Sequence, residues 1–180
     1  MFLDESGVLL NPLVRRTLAP RGQTPILKVR GRCRQKVSVL AALTLSPRRQ
    51  RLGLYFRTLQ DGYFRTEHIA AFLRDLHTHI RGRILVVWDG WKPHAAAARL
   101  VASSRIETVT LPGYAPELNP VEQLWNYLKW TKLANDACAD SNELHAKLKP
   151  LLWQTRLTSH RLHSFFLAAQ LPFQNMKLIR

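Results

Sequence analysis

Three acidic side chains occupy places in the sequence where an ionised group is costly. Asp89 directly follows the most hydrophobic run of the chain, RILVVW, and Asp4 follows the apolar pair Phe2 and Leu3. A carboxylate there must be paired, solvated or bound to a cation. The third, Glu122, lies inside LPGYAPELNPVEQLWNYLK, a stiff, proline-rich approach that runs straight into a helix-forming segment. If Asp4 and Asp89 sit on neighbouring strand ends, where ligands gather in open α/β sheets, the loop can bring Glu122 over them. Three converging carboxylates repel one another and raise their own pKa values unless a divalent cation neutralises them. Oxygen-only ligation selects hard ions, Mg²⁺ or Mn²⁺. Two such ions can activate a water or a 3′-hydroxyl and stabilise the leaving oxygen in an in-line phosphoryl displacement. Glu122 also has a structural reading. Asn119 is a good N-cap, Pro120 suits the first helical position, and a glutamate at the third can reach back to the cap's N–H. Both readings stand at this point.

The elements that must carry these residues follow from patterning. MFLDES reads as a short buried strand ending in acids, and LLNPLVRRTLAPRGQTP as an irregular arm punctuated by prolines. KVSVLAALTL and RLGLYFRTL are β-rich runs separated by SPRRQ, a hairpin with a basic turn. In RTEHIAAFLRDLHTHI, Ile69, Phe72, Leu73 and Leu76 share one helical face, with Thr66 as the expected cap. RILVVW reads as a strand covered on both sides. A helix over PHAAAARLVASS, a short strand IETVTL and the Glu122 helix follow. LHAKLKPLLWQT and SHRLHSFFLAAQ then close the domain as helices despite Pro150. Leading antiparallel strands followed by strand–helix–strand units predict a mixed α/β sheet with helices on both faces.

Charge identifies the partner class. The 180 residues hold 27 Lys and Arg against 12 Asp and Glu, a net charge of +15, and the pI is near 10.9. So large an excess favours a polyanion, most often nucleic acid, held through phosphate contacts. No acidic residue separates Glu5 from Asp61, whereas basic residues crowd that interval. In KVRGRCRQK, Lys28, Arg30, Arg32, Arg34 and Lys36 alternate strictly, so an extended backbone would put all five on one face. With Arg48, Arg49 and Arg51 at the hairpin turn they form the candidate DNA-tracking set. A solvated, aggregation-resistant strand edge is the plainer alternative. There is no long apolar span and no basic-then-apolar leader, so a cytoplasmic location without membrane contact is expected. Cys33 and Cys138 match no zinc spacing, and a structural disulfide is not expected in a reducing compartment.

FLDES, VVWDGWKPH and LPGYAPELNPVEQLWNYLK together resemble the three acidic motifs of DDE-type transposases, in particular bacterial insertion-sequence relatives of the mariner superfamily. The third motif is the most specific, and LAPRGQTPIL resembles the segment that follows the first motif in that family. The resemblance covers roughly residues 1 to 132. It implies a ribonuclease-H-like core over residues 1–135, with residues 136–180 as C-terminal helices packed on it in the same domain. Asp4, Asp89 and Glu122 are then the metal-binding catalytic triad for two Mg²⁺ or Mn²⁺ ions. His94, which closes the second motif, is a candidate auxiliary near the scissile phosphate or a plain helix-start residue. The partners implied are double-stranded DNA, as transposon ends and target, and a second copy in a dimeric synapse. A nucleoid-associated location follows from the bacterial resemblance.

Departures from the family pattern matter. Gly90 stands where asparagine usually follows the second aspartate, and the Asp89–Glu122 interval is a little short. The family's N-terminal helix-turn-helix modules are not expected in this chain, which starts just before Asp4. End recognition is therefore expected from an upstream helix-turn-helix polypeptide or a frameshifted fusion. Two functions remain: a Mg²⁺-dependent endonuclease and strand transferase, and a catalytically idle DNA-binding or assembly remnant. Glu5 alternates to the face opposite Asp4 and is given no metal role. His68, His77 and His79 read as surface residues rather than a zinc site. His160 and His163 have helical spacing but no companion ligand. Trp125 and Trp130 read as core and rim, and Trp91, in the loop after Asp89, as core packing or a base contact.

Overall fold

Two periodicities build the molecule. The period-two segments become β1 (Phe2–Leu9), β2 (Lys36–Leu45), β3 (Leu52–Gln60), β4 (Ile84–Trp88) and β5 (Ile106–Thr110). The helical segments become α1 (Thr66–His79), α2 (Lys92–Val101), α3 (Pro120–Asn126), α4 (Ser141–Leu157) and α5 (Ser159–Ala168). The computed structural model describes residues 1–29, 35–47 and 51–171. One five-stranded sheet runs in the order β3-β2-β1-β4-β5. The first three strands are mutually antiparallel, while β1 pairs parallel with β4 and β4 with β5. This is the mixed sheet the patterning predicts.

Each face of the sheet has its own core. On one, Val37, Val39, Ala41 and Leu43 of β2 pack with Val121, Leu124, Leu148, Leu152 and Phe166 from α3, α4 and α5. On the other, Leu3, Leu40 and Ala42 pack with Ile69, Leu73, Val86, Trp88 and Ala97 around α1 and α2. Leu40 and Ala41 are neighbours that point to opposite cores, the alternation a pleated strand imposes. That explains why β2 reads as a nearly continuous apolar run: it is covered twice. The C-terminal helices share the first core with β2 and α3.

Local details differ from the expectation. Strand β1 does not end in its acids but continues past them to Leu9. Helix α1 is capped by Arg65 rather than Thr66. The Arg65 N–H donates to His68 Nδ1 at 3.0 Å, so an imidazole at the third helical position takes the part a glutamate or glutamine plays in a capping box. Helix α3 widens into π-helical turns over Tyr127–Lys132 instead of continuing as one α-helix. Pro150 does lie inside α4. Among residues 10–29 there is neither helix nor strand, as expected of the arm. It is pinned at Arg15, whose N–H donates to Asn135 Oδ1 at 2.8 Å while Asn135 Nδ2 donates back to the Arg15 carbonyl at 2.7 Å. Among the described residues no helix is long and apolar enough to cross a membrane.

Candidate active site

Strand register brings the two aspartates side by side. Phe2 of β1 pairs with Val87 of β4 in parallel, and two residues further along each chain stand Asp4 and Asp89. Asp4 lies within β1 on the α3 side of the sheet, where Trp125 Nε1 donates to its Oδ2 at 2.7 Å. Burial pushes the Asp4 carboxyl up to about 7; the Trp125 bond opposes that shift, and the charges of Glu122 and Glu5 add to it. Asp89 stands one residue past β4, with its side chain 59% exposed.

Helix α3 delivers Glu122 to the same place. Asn119 accepts from the Val121 N–H at 3.1 Å through its side chain, capping the helix. Its Nδ2 donates to the Leu3 carbonyl at 3.4 Å, tying the helix start to the residue before Asp4. The cap's own N–H donates to the Pro116 carbonyl at 3.0 Å, so the capping-box partner expected of Glu122 is already supplied by the proline-rich turn. Glu122, Trp125 and Lys129 then follow at spacings that keep them on one side of the helical segment. Burial raises the Glu122 carboxyl; Lys129 counters that and Asp89 reinforces it. Burial likewise lowers the Lys129 ammonium, against the pull of Glu122 and Asp4. Lys129 Nζ donates to Ser6 Oγ at 2.6 Å.

Charge thus links Glu122 to Asp4 and to Asp89. Among the described residues, however, no three His, Cys, Asp or Glu side chains are grouped closely enough to hold one ion between them. The donor chemistry is carboxylate oxygen only, because both nitrogens of the nearest imidazole, His94, are already engaged.

His94 lies behind Asp89, not beside it on the open side. It is 1% exposed, and its ring stacks on Trp88 at 4.8 Å with the planes 4° apart. Nδ1 faces Asp89 Oδ1 at 2.7 Å, and Nε2 faces Glu5 Oε2 at 2.9 Å. A nitrogen facing a carboxylate must carry hydrogen, so this geometry suits the doubly protonated ring. Burial opposes that charge, but the bond to Glu5 and the charges of Glu5 and Asp89 outweigh it and raise the His94 pKa. Asp89 Oδ1 also accepts from the Trp91 N–H at 3.0 Å. The sequence reading passed over Glu5 because it does face away from Asp4; what it missed is that His94 waits on that side.

Of the basic set, Lys28 is exposed in the arm, Lys36 opens β2 with its ammonium over the Tyr63 ring, and Arg51 is exposed just before β3. Arg30, Arg32, Arg34, Arg48 and Arg49 lie outside the described residues, as does Cys33. Trp125 is buried at 3% exposure, whereas Trp130 and Trp91 are 46% and 44% exposed. Trp91 also meets His94 edge-on, at 5.3 Å between ring centres. Arg161, not singled out by the sequence, stacks its guanidinium over Tyr127 at 4.6 Å.

Comparison with known proteins bears on this arrangement. The family model for DDE superfamily endonucleases matches residues 1–145. No curated protein matches the chain. Among solved structures, the Mos1 mariner paired end complex with Mn superposes with a TM-score of 0.65 at 15% identity, covering 94% of this chain and 53% of that one. The pre-cleavage Mos1 transpososome gives 0.60 at 14%, covering 96% and 56%. The Mos1 strand transfer complex gives 0.59 at 15%, covering 96% and 55%. At such identities the likeness establishes the fold, which is ribonuclease-H-like as the motifs implied. The chain spans about half the length of the structures it resembles.

Proposed function

Since the chain belongs to the DDE superfamily of endonucleases, we propose that it is the catalytic domain of a transposase, cutting DNA at the ends of a mobile element and joining the freed 3′-hydroxyl to target DNA. The observation that carries this reading is the parallel register of β1 and β4, which aligns Asp4 of β1 with Asp89 just past β4, while Asn119 moors the Glu122 helix to β1. Asp4, Asp89 and Glu122 would hold Mg²⁺ or Mn²⁺, as two ions in the full form of the proposal. Their all-oxygen donor set fits a hard cation. When bound, such ions supply positive charge that activates the attacking oxygen and stabilises the leaving one. Trp125 orients Asp4, and Lys129 keeps a positive charge facing Asp4 and Glu122. Lys28, Lys36 and Arg51, with the other basic residues of the arm and hairpin, would position the phosphate backbone without reading bases.

Double-stranded DNA, a second copy of the chain in synapsis and a helix-turn-helix polypeptide for end recognition belong to the same proposal. So do assignment to the bacterial insertion-sequence branch, a nucleoid location, and the division into a catalytic core over 1–135 with C-terminal helices over 136–180. A second reading, an idle DNA-binding remnant, is favoured by one observation: among the described residues, no three ligands are grouped around a single point.

Nicking of supercoiled plasmid with Mg²⁺ or Mn²⁺ separates the two. The wild-type chain is expected to nick, and Asp89→Ala to be slower by about a thousandfold, since metal charge stabilisation is worth several kcal/mol at about 1.4 kcal/mol per tenfold. Equal nicking by both proteins removes the enzymatic reading. No nicking by either, with an end-binding protein supplied, favours the remnant.

A further inference from the structure

We propose that Glu5 is a positioning residue for Asp89, acting through His94 from the far side of the sheet. This rests on the proposed metal-binding role of Asp89. Three elements meet in the contact: Glu5 on β1, Asp89 past the end of β4, and His94 in the first turn of α2. The two carboxylates take opposite nitrogens of one buried imidazole, at 2.9 Å and 2.7 Å. The ring cannot turn freely, because Trp88 lies flat against it and Trp91 meets it edge-on. A rigid ring therefore stands in ion-pair contact with one oxygen of Asp89, at 2.7 Å, while its Nδ1 also meets the Asp89 carbonyl at 3.5 Å.

The consequence is a division of labour between carboxylate oxygens. Asp89 Oδ1 accepts from the Trp91 N–H at 3.0 Å and lies in ion-pair contact with His94 Nδ1 at 2.7 Å. It is therefore occupied, and Oδ2 is the oxygen left to face a cation. Asp4 has the same device from the other face, with Oδ2 held by Trp125 Nε1. Each aspartate has one oxygen set against a ring nitrogen from a different core, and each offers its second oxygen. Glu5 is what keeps the His94 tether in place. Remove its carboxylate and a buried Nε2–H loses its acceptor, a loss that favours any rearrangement of the ring that finds another partner. Partners of this kind orient metal ligands, and their removal typically weakens metal affinity or activity by about 10- to 100-fold.

The plain alternative is that Glu5 and His94 are a satisfied buried pair that contributes only to folding. Mn²⁺ binding to the full chain, measured by calorimetry, and Mn²⁺-dependent plasmid nicking distinguish the two, with thermal midpoints recorded in parallel. Glu5→Ala is expected to bind Mn²⁺ at least about tenfold more weakly and to nick about 10- to 100-fold more slowly. Glu5→Gln, which keeps an acceptor oxygen, is expected to recover most of both. Wild-type Mn²⁺ affinity in Glu5→Ala overturns the proposal, whether or not the thermal midpoint falls, and so do equal losses in Glu5→Ala and Glu5→Gln.

If Glu5→Ala does not fold, substitutions at His94 decide. His94→Asn keeps a donor near the Nδ1 position, and His94→Gln keeps one near Nε2. The proposal expects tighter Mn²⁺ binding in His94→Asn, and the reverse order overturns it. Asp89→Ala serves as the reference. If it too binds Mn²⁺ as wild type does, the proposed function fails along with this inference. If only Glu5→Ala matches wild type, the inference alone fails.

Discussion

The two aspartates differ in almost everything except residue type. Asp4 is inside a strand, sunk beside α3, with its carboxyl pushed up to about 7 by burial. Asp89 is one residue beyond its strand, and more than half of its side chain meets solvent. A strand interior holds its residue through the ladder, here the antiparallel pairing of Asp4 with Ala41, and one indole bond sets the Asp4 side chain. A strand end is solvated but loose. Asp89 is accordingly held by the Trp91 N–H and by ion-pair contact with a His94 ring that is itself wedged and anchored. Precision at this site therefore comes by desolvation at one acid and by hydrogen-bonded bracing at the other.

The sharpest way to break this comparison is to neutralise each acid in turn. Asp4→Asn and Asp89→Asn are both expected to lose plasmid nicking by about a thousandfold. Their stabilities should part company. Asp4 binds its proton more tightly folded than unfolded, so it contributes stability that is complete below the ordinary carboxyl range, near pH 4, and is lost as pH rises through about 7. In metal-free buffer the wild type should lose on the order of 1 to 4 kcal/mol from this group between those limits. Asp4→Asn should flatten that part of the profile and Asp89→Asn should leave it in place. Urea midpoints at pH 5 and pH 8 measure this; parallel profiles for wild type and Asp4→Asn would show that burial does not govern Asp4.

Next in size is the mooring that places Glu122 above the pair. Asn119→Ala removes both the cap and the bond to the Leu3 carbonyl, and should cost about 2 kcal/mol by chemical denaturation. Asn119→Asp keeps an oxygen for the Val121 N–H but has no donor for Leu3. It should retain most of the stability and still nick more slowly than wild type. Full nicking by Asn119→Asp would mean that the cap alone positions Glu122.

Much of this was legible in the sequence, for reasons that differ residue by residue. Asp89 stood out because an acid after Val86, Val87 and Trp88 has few inexpensive explanations, and Glu122 because a proline-rich turn so stiff implies a fixed destination. The sheet followed from runs such as KVSVLAALTL, whose burial on two faces leaves few polar positions. The bracing was not legible. Glu5 and His94 are far apart in the chain, and only the parallel pairing of β1 with β4 makes them neighbours. Trp125 read correctly as core, yet its one polar atom was the informative part, and an apolar stripe says nothing about where an indole N–H points. The Arg65–His68 cap is local, but a histidine at the third helical position is not a residue type that announces a helix start.

The smallest effect asks from which aspartate's side DNA approaches. Lys92 is exposed at the start of α2, three residues from Asp89. Arg161 lies across the Asp4 side, with its guanidinium spread over Tyr127. Exposed Asp89 has room for a backbone phosphate nearby, whereas Asp4 is walled in by α3, so Lys92 is the better placed cation. A single phosphate contact changes the slope of log affinity against log salt by about 0.9 for duplex DNA. Lys92→Ala should therefore lower the salt slope of duplex binding by about 0.9, with little change in its preference among sequences, and Arg161→Ala should leave the slope at its wild-type value. The opposite result would put the duplex across α3, and the buried acid, not the exposed one, would then be the first to meet the phosphate chain.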